Sequence, residues 1–172
     1  LSNVEEINWY IRKQETIDEF IENRRNPNHL EWAYFDTTKI YFSTNINEVI
    51  DLSDTIVLAI PSPYVKACLD EISIDISHKK IISAVKGMIP DENILITDYL
   101  HNHYGIPEEQ LGIIAGPCHA EEIALERLSY LTIGCTDINQ AKTWSELFAN
   151  KYVHITPSND VVGLEYSSVM KN

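Results

Sequence analysis

Short apolar runs alternate along this chain with segments of helical period. Ile7-Asn8-Trp9-Tyr10-Ile11 predicts a strand, and Thr16 to Asn23 then carries apolar residues at Ile17, Phe20 and Ile21, the spacing of a helix face. Lys39 to Ser43 predicts a second strand, and Asn45 is placed to cap a helix over Ile46 to Leu52. Thr55 to Ile60 reads as a strand buried on both faces of a parallel sheet. Ser62 follows as an N-cap, with Pro63 at the first helical position. Lys80 to Val85 predicts a strand, Asp91 to His101 a helix opened by Pro90, and Leu111 to Ala115 a strand ending at Gly116-Pro117. Ala120 to Leu128 predicts a helix with Glu121 and Glu122 in its first turn, where the macrodipole favours acids. Tyr130 to Cys135, Asn139 to Phe148 and Tyr152 to Thr156 predict strand, helix and strand, and Asp160 starts a last helix. Strands alternating with helices mean a doubly wound α/β domain.

Composition narrows the partners. The 172 residues suffice for one domain with a real core, and the hydrophobic share of 44% and charged share of 23% are those of a soluble globular protein. No apolar run approaches the roughly 18 residues of a membrane span, so no membrane insertion is expected. The polar, acidic start, Leu1 to Glu6, is not a secretory signal, and the missing initiator Met places the natural N-terminus upstream. A net charge of −13 argues against nucleic acid, whose binding is dominated by phosphate neutralisation. A small anion remains open, because local lysines outweigh a distant acidic surface once salt screens it. Cys68, Cys118 and Cys135 are odd in number and form no CxxC pair, which fits a reduced cytoplasm.

The candidate chemistry lies at strand ends, where open α/β sheets bind ligands. Ser83-Ala84-Val85-Lys86-Gly87, Gly116 to Glu122, and Gly163 to Asn172 each end a strand run or lie on the helix after one. Leu164, Ser167, Ser168 and Lys171 share a helix face by their spacing, and the small serines leave room there for a ligand. Lys86 and Lys171 suggest a pocket for a small anionic substrate. Negative charge developing on a substrate oxygen can be stabilised, and that oxygen protonated, by a lysine ammonium whose pKa is lowered by burial and a second cation. Lys86 is placed to be that cation for Lys171, and Asn172 to bond a substrate hydroxyl or hold the lysine. The competing reading is that both lysines are solvated, as most are.

The cofactor half is less direct. The glycines stand at 87, 105, 112, 116, 134 and 163, so no G-x-G-x-x-G turn exists. Either no dinucleotide binds, or the first βα unit lies upstream of Leu1. Arg12-Lys13 follow the first strand, where a Rossmann fold reads the adenosine ribose and a basic pair accommodates a 2′-phosphate. A solvated strand end is the alternative for that pair.

Ala59-Ile60-Pro61-Ser62, Ser83-Ala84-Val85-Lys86-Gly87, Gly116-Pro117-x-x-Ala120-Glu121-Glu122, Asn159 to Glu165 and Lys171-Asn172 occur in that order. Together they resemble bacterial NAD(P)-dependent glycerol-3-phosphate dehydrogenase from near Ile7 to Asn172. The resemblance implies a Rossmann-like domain over residues 1–158, lacking its N-terminal strand and glycine-rich turn, and the truncated start of a helical substrate domain over 159–172. It implies NAD or NADP as cofactor, and interconversion of dihydroxyacetone phosphate and sn-glycerol 3-phosphate for phospholipid synthesis. Lys171 matches the catalytic lysine and Lys86 a lysine contacting cofactor and substrate. Gly116, Cys118 and Asn172 match substrate contacts. Pro61, Ala120, Arg12 and, less directly, Lys13 match cofactor contacts. A small phosphate substrate and a homodimer belong to the same expectation. Cys118 departs from the usual Ser and is a weaker donor. Glu31-Trp32-Ala33-Tyr34 does not read like the family's connector.

Other candidates are weighed against plainer roles. Glu121 and Glu122 are an acid/base pair or serve the helix terminus. His101 and His103 lack further ligands nearby in sequence, so no metal site is expected. His119 touches ligand, packs against its neighbours or meets solvent. Cys118 lacks the His partner of a nucleophile. Trp9, Tyr10 and Trp144 are expected in the core. The competing functions are another two-domain dehydrogenase, acting on a hydroxy acid or sugar acid, and a non-catalytic nucleotide-binding domain. With the first strand upstream, a gap is expected between the strands at Ile7 and Thr55, with unpaired edges that make residues 1–172 alone poorly folded and unable to bind either cofactor.

Overall fold

The computed structural model describes residues 4, 6–30, 32–90 and 92–170. Seven strands fall into two sheets. Strands β1 (Ile7–Tyr10) and β2 (Ile40–Ser43) pair in parallel, joined by helix α1 (Gln14–Asn23). The larger sheet has the order β3-β4-β5-β6-β7. Its strands are β3 (Thr55–Leu58), β4 (Lys80–Ser83), β5 (Leu111–Ala115), β6 (Ser129–Cys135) and β7 (Val153–Ser158). Helices α2 (Ile46–Asp51), α3 (Ser62–Leu69), α4 (Ile96–Tyr104), α5 (Ala120–Ala124), α6 (Ile138–Phe148) and α7 (Val161–Met170) alternate with them. This is the doubly wound α/β plan that the periodicity predicts.

Helices α2, α6 and α7 start where short polar side chains satisfy orphan amides. Asn45 accepts from the amides of Asn47 and Glu48, and Asp137 from that of Asn139. Asp160 accepts from the Gly163 amide at 2.9 Å as α7 begins. One core holds Val65, Leu69, Ile81, Ile96, Leu100 and Ile106 between β3, β4 and their helices. A second packs Ile82, Ile133 and Ala141 around Trp144. In the smaller unit Trp9, Phe20, Phe35 and Phe42 form an aromatic cluster, with ring centroids 5.1–6.2 Å apart. Trp144 is core as expected, whereas Trp9 and Tyr10 are only half-buried.

Several sequence boundaries shift. β3 ends at Leu58 and is an edge strand, with Val57 42% exposed, so it is not buried on both faces. Among the described residues no ladder joins it to β1. The gap expected between Ile7 and Thr55 is present as a cavity of about 200 Å³ between Trp9 and Tyr10 on one side and Thr55 to Ile60 on the other. Ser62 is the first residue of α3 and caps nothing; Pro61 takes the N-cap place, its carbonyl accepting from the Tyr64 amide. α4 begins at Ile96, because the chain after Pro90 is taken up by a turn closed by the Ile89–Ile94 bridge. Asp91, its expected start, lies outside the described residues. α5 stops at Ala124, since Glu126 turns to a φ of 58°.

That short helix has a topological consequence. β6 runs antiparallel to β5, although β3, β4 and β5 are parallel. A return across a five-residue strand needs roughly 16 Å, and five residues of helix supply only about 7.5 Å. The chain therefore re-enters the sheet at the edge where β5 ended, with Ala115 opposite Thr132. β7 is parallel to β6, so it finishes at the opposite edge, with Ser158 beside Gly134. α7 then travels back over β5 to reach the first edge.

Candidate active site

The carboxyl ends of β4 and β5 and the far end of α7 converge on one cleft. It has a volume of about 460 Å³ and brings together Lys86, Gly116, Cys118 and Ala120 with Ser167 and Ser168. The size falls in the range of small-molecule sites. Ile114 and Leu131 give it an apolar wall.

Each part has a local cause. Lys86 lies three residues beyond β4, between buried Val85 and Gly87. The chain there is held by the Ala84 amide, which donates to the Leu58 carbonyl at 2.8 Å. Gly87 has φ 154°, and a β-carbon on it would stand 2.5 Å from Ser62 Oγ. Only glycine allows the strand end to pass so close to the start of α3. Ser62, which fails as a cap, thus sets the turn that presents Lys86. That ammonium is exposed and, among the described residues, has no hydrogen-bond or ion-pair partner.

Gly116 has φ 140°, and a β-carbon there would lie 2.8 Å from the Tyr130 carbonyl oxygen. The close approach comes from the antiparallel return of β6. It folds the chain so that the Cys118 amide donates to the Gly116 carbonyl at 3.0 Å. His119 is the exposed N-cap position of α5, and its carbonyl accepts from Glu122 and Ile123. Glu121 and Glu122 occupy the first turn of that helix, outside the cleft lining.

From α7, Ser167 and Ser168 face the cleft while both hydroxyls donate back to the Leu164 carbonyl, at 2.8 and 3.0 Å. Leu164 packs with Ile113, Ala115 and Val161. The shared face of Leu164, Ser167 and Ser168 is as the spacing predicts. Lys171 and Asn172 lie outside the described residues. Arg12, Lys13 and Pro61 are exposed and do not line this cleft; Lys13 is the N-cap position of α1. Ala120 also lines a second cleft of about 730 Å³, which runs to Trp32, Phe35 and Lys39. His101 Nδ1 is bonded to the Ile106 carbonyl, and His103 stacks on Tyr99.

Sequence reasoning gave no role to Glu165. It is 1% exposed and bonds to Ile96 and Thr97 on α4. No local signal marks it, because its partners stand 68 and 69 positions away.

The comparisons with known proteins agree along the chain. The family model described as "NAD-dependent glycerol-3-phosphate dehydrogenase N-terminus" matches residues 1–141. A glycerol-3-phosphate dehydrogenase (NAD(P)+) of an Exiguobacterium species is 28% identical over 172 residues, covering 99% of this chain and 50% of the relative. The protein of the same name from Streptococcus gordonii is 29% identical over 166 residues, covering 92% and 47%. The structure of Plasmodium falciparum glycerol-3-phosphate dehydrogenase superposes with a TM-score of 0.82 at 26% identity, covering 95% of this chain and 46% of the other. The chain spans about half the length of the relatives it matches.

Proposed function

The chain belongs to the NAD-dependent glycerol-3-phosphate dehydrogenase family through its N-terminal domain, and from that premise we propose that the protein carrying it interconverts dihydroxyacetone phosphate and sn-glycerol 3-phosphate. The observation that carries this reading is the convergence of Lys86, Gly116 and Cys118 with the serine face of α7 on one cleft. The cleft suits the reactive end of a nicotinamide cofactor, with apolar walls and the Lys86 side chain in its lining.

When bound, reduced NAD or NADP supplies the hydride to the substrate's carbonyl carbon. This chain's residues then manage the charge left on oxygen. In the sequence Lys171 stands four residues after Ser167. We assign it the proton that converts the developing alkoxide to the hydroxyl. Lys86 stabilises the same negative charge and attracts the anionic substrate. The Gly116 to Cys118 turn orients the substrate, and Asn172 holds its hydroxyl or the lysine. Ala120 and Pro61 border the cofactor, and Arg12 with Lys13 meets the adenosine phosphate.

The division into a cofactor domain over 1–158 and the start of a substrate domain over 159–172 is part of this proposal. So are a cytoplasmic location and a homodimer, which sedimentation would test. All three cysteines are free, as a reducing compartment keeps them. Among the described residues no helix is long and apolar enough to cross a membrane.

The test is turnover of dihydroxyacetone phosphate with reduced nicotinamide by the protein carrying this chain, in wild type and Lys171→Ala. Losing a proton donor lowers kcat by about a hundredfold or more. A wild type inactive on this substrate but active on a sugar acid, or near-normal turnover in Lys171→Ala, would overturn the reading.

A further inference from the structure

α4 starts without a cap of its own. Its N-cap position is Leu95, which has no side-chain acceptor, so the amides of Ile96 and Thr97 are left to find partners elsewhere. They find Glu165. Its Oε1 accepts from the Ile96 amide at 3.0 Å and from the Thr97 amide at 3.3 Å, and its Oε2 is bonded by the Thr97 hydroxyl. Three donors from the first turn of α4 thus converge on one carboxylate from α7. Glu165 is 1% exposed and Thr97 7%, so water does not compete for these bonds.

The consequence falls on α7. This helix starts at the sheet edge opposite the cleft and must arrive with the correct face turned inward. Its first turn is set by Asp160 and by close contact with the sheet, where a β-carbon on Gly134 would stand 2.6 Å from Leu164 Cδ1. Midway along it stands a buried polar anchor, Glu165, placed two residues before Ser167 and three before Ser168, the residues that line the cleft. A rotation of α7 about its axis would swing both serines off the cleft and break all three bonds to α4.

We propose that Glu165 is a positioning residue for the reaction: by bonding to the start of α4 it fixes the rotational setting of α7, and so the face that meets Lys86 across the cleft. The role rests on the dehydrogenase reading. It needs hydrogen-bond acceptors rather than reactivity. Glu165→Gln keeps an acceptor for the two amides and a polar partner for Thr97, whereas Glu165→Ala removes every bond.

Steady-state kinetics on the protein carrying this chain separate these roles. Glu165→Ala is expected to lower kcat by about a hundredfold, the scale of a small misplacement at a reacting centre, while both KM values stay within about twofold. Glu165→Gln restores kcat. Thr97→Val, which removes one of the three bonds from the α4 side, lowers kcat in the same direction and less. Amide hydrogen exchange supplies a readout independent of activity: Glu165→Ala speeds exchange in both Ile96–Thr97 and Ser167–Met170, and Glu165→Gln does not. Wild-type kcat in the Ala or Val variant, or a Gln variant as impaired as Ala, overturns the role. If the wild type fails to turn over dihydroxyacetone phosphate, the dehydrogenase reading falls, and exchange decides the anchor: unchanged exchange on α7 in Glu165→Ala overturns it.

Discussion

Gly112 on β5 is the seat of Trp144 on α6. A β-carbon on Gly112 would stand 2.5 Å from Trp144 Cζ3 and 3.0 Å from the Gly134 carbonyl oxygen on the neighbouring strand. The indole is 2% exposed and fills the space that a side chain at 112 would take. Gly112→Ala overpacks this contact against a rigid ring and should cost about 1–3 kcal/mol. Trp144→Ala leaves a cavity and should cost about 3–5 kcal/mol. The double variant should cost less than the sum, because the new methyl then meets empty space. Urea unfolding followed by circular dichroism gives all three values. Strict additivity would mean that the two residues do not share one site.

Lys86 is expected to act on binding as well as on rate. It faces the cleft without a partner among the described residues. In Lys86→Ala the KM for substrate and for cofactor should both rise and kcat should fall. Unchanged KM values for both would leave Lys86 a bystander at the mouth.

Arg12 is exposed after β1, where a 2′-phosphate can reach it. The kcat/KM ratio of NADPH to NADH should fall in Arg12→Ala, and NADPH should be accepted by the wild type. A ratio that does not fall would return Arg12 to the role of a solvated strand end.

The Glu165 carboxyl has its pKa raised, chiefly by burial, against the pull of the donors from Thr97 and Ile96; nearby Asp98 raises it further. The folded protein therefore holds this proton more tightly than the unfolded chain does. The resulting stability is fully present below the unfolded glutamate value of about 4.3 and is lost as pH rises through the raised folded value. Glu165→Gln, uncharged throughout, should gain in Tm relative to wild type as pH rises from about 4 to about 7. A Gln advantage that shrinks over that range would contradict the shift.

Legibility in the sequence followed the range of the interaction. The strand Leu111–Ala115, the cap at Asn45 and the helix start at Asp160 were readable because their causes lie within a few residues. The cleft residues Lys86, Gly116, Cys118 and Ala120 were readable because strand ends of an α/β sheet converge. The start of α4 was not. Pro90 imitates a helix opener, while the real acceptor for its first amides, Glu165, arrives from another helix. The reversal of β6 was also hidden, since periodicity marks a strand but not its direction. It depended on where α5 stopped, and that was set by one residue, Glu126, in a left-handed conformation.

The division into two sheets implies that the molecule does not open all at once. The β1–β2 unit meets the larger sheet across a cavity, and side chains bond across that seam: Asn8 to the Leu52 carbonyl and Ser53, Tyr10 to Glu71. Such a seam parts at a lower free energy than a continuous ladder. The amides of Ile7–Tyr10 and Ile40–Ser43 should then exchange with solvent as one early group, ahead of those of Lys80–Ser83 and Leu111–Ala115. Simultaneous exchange of all four strands would show instead that the bonds of Asn8 and Tyr10 bind the two halves into one cooperative unit. If the early group is seen, the smaller unit samples a detached state from which it rejoins the sheet, and the width of the cavity fluctuates with that exchange.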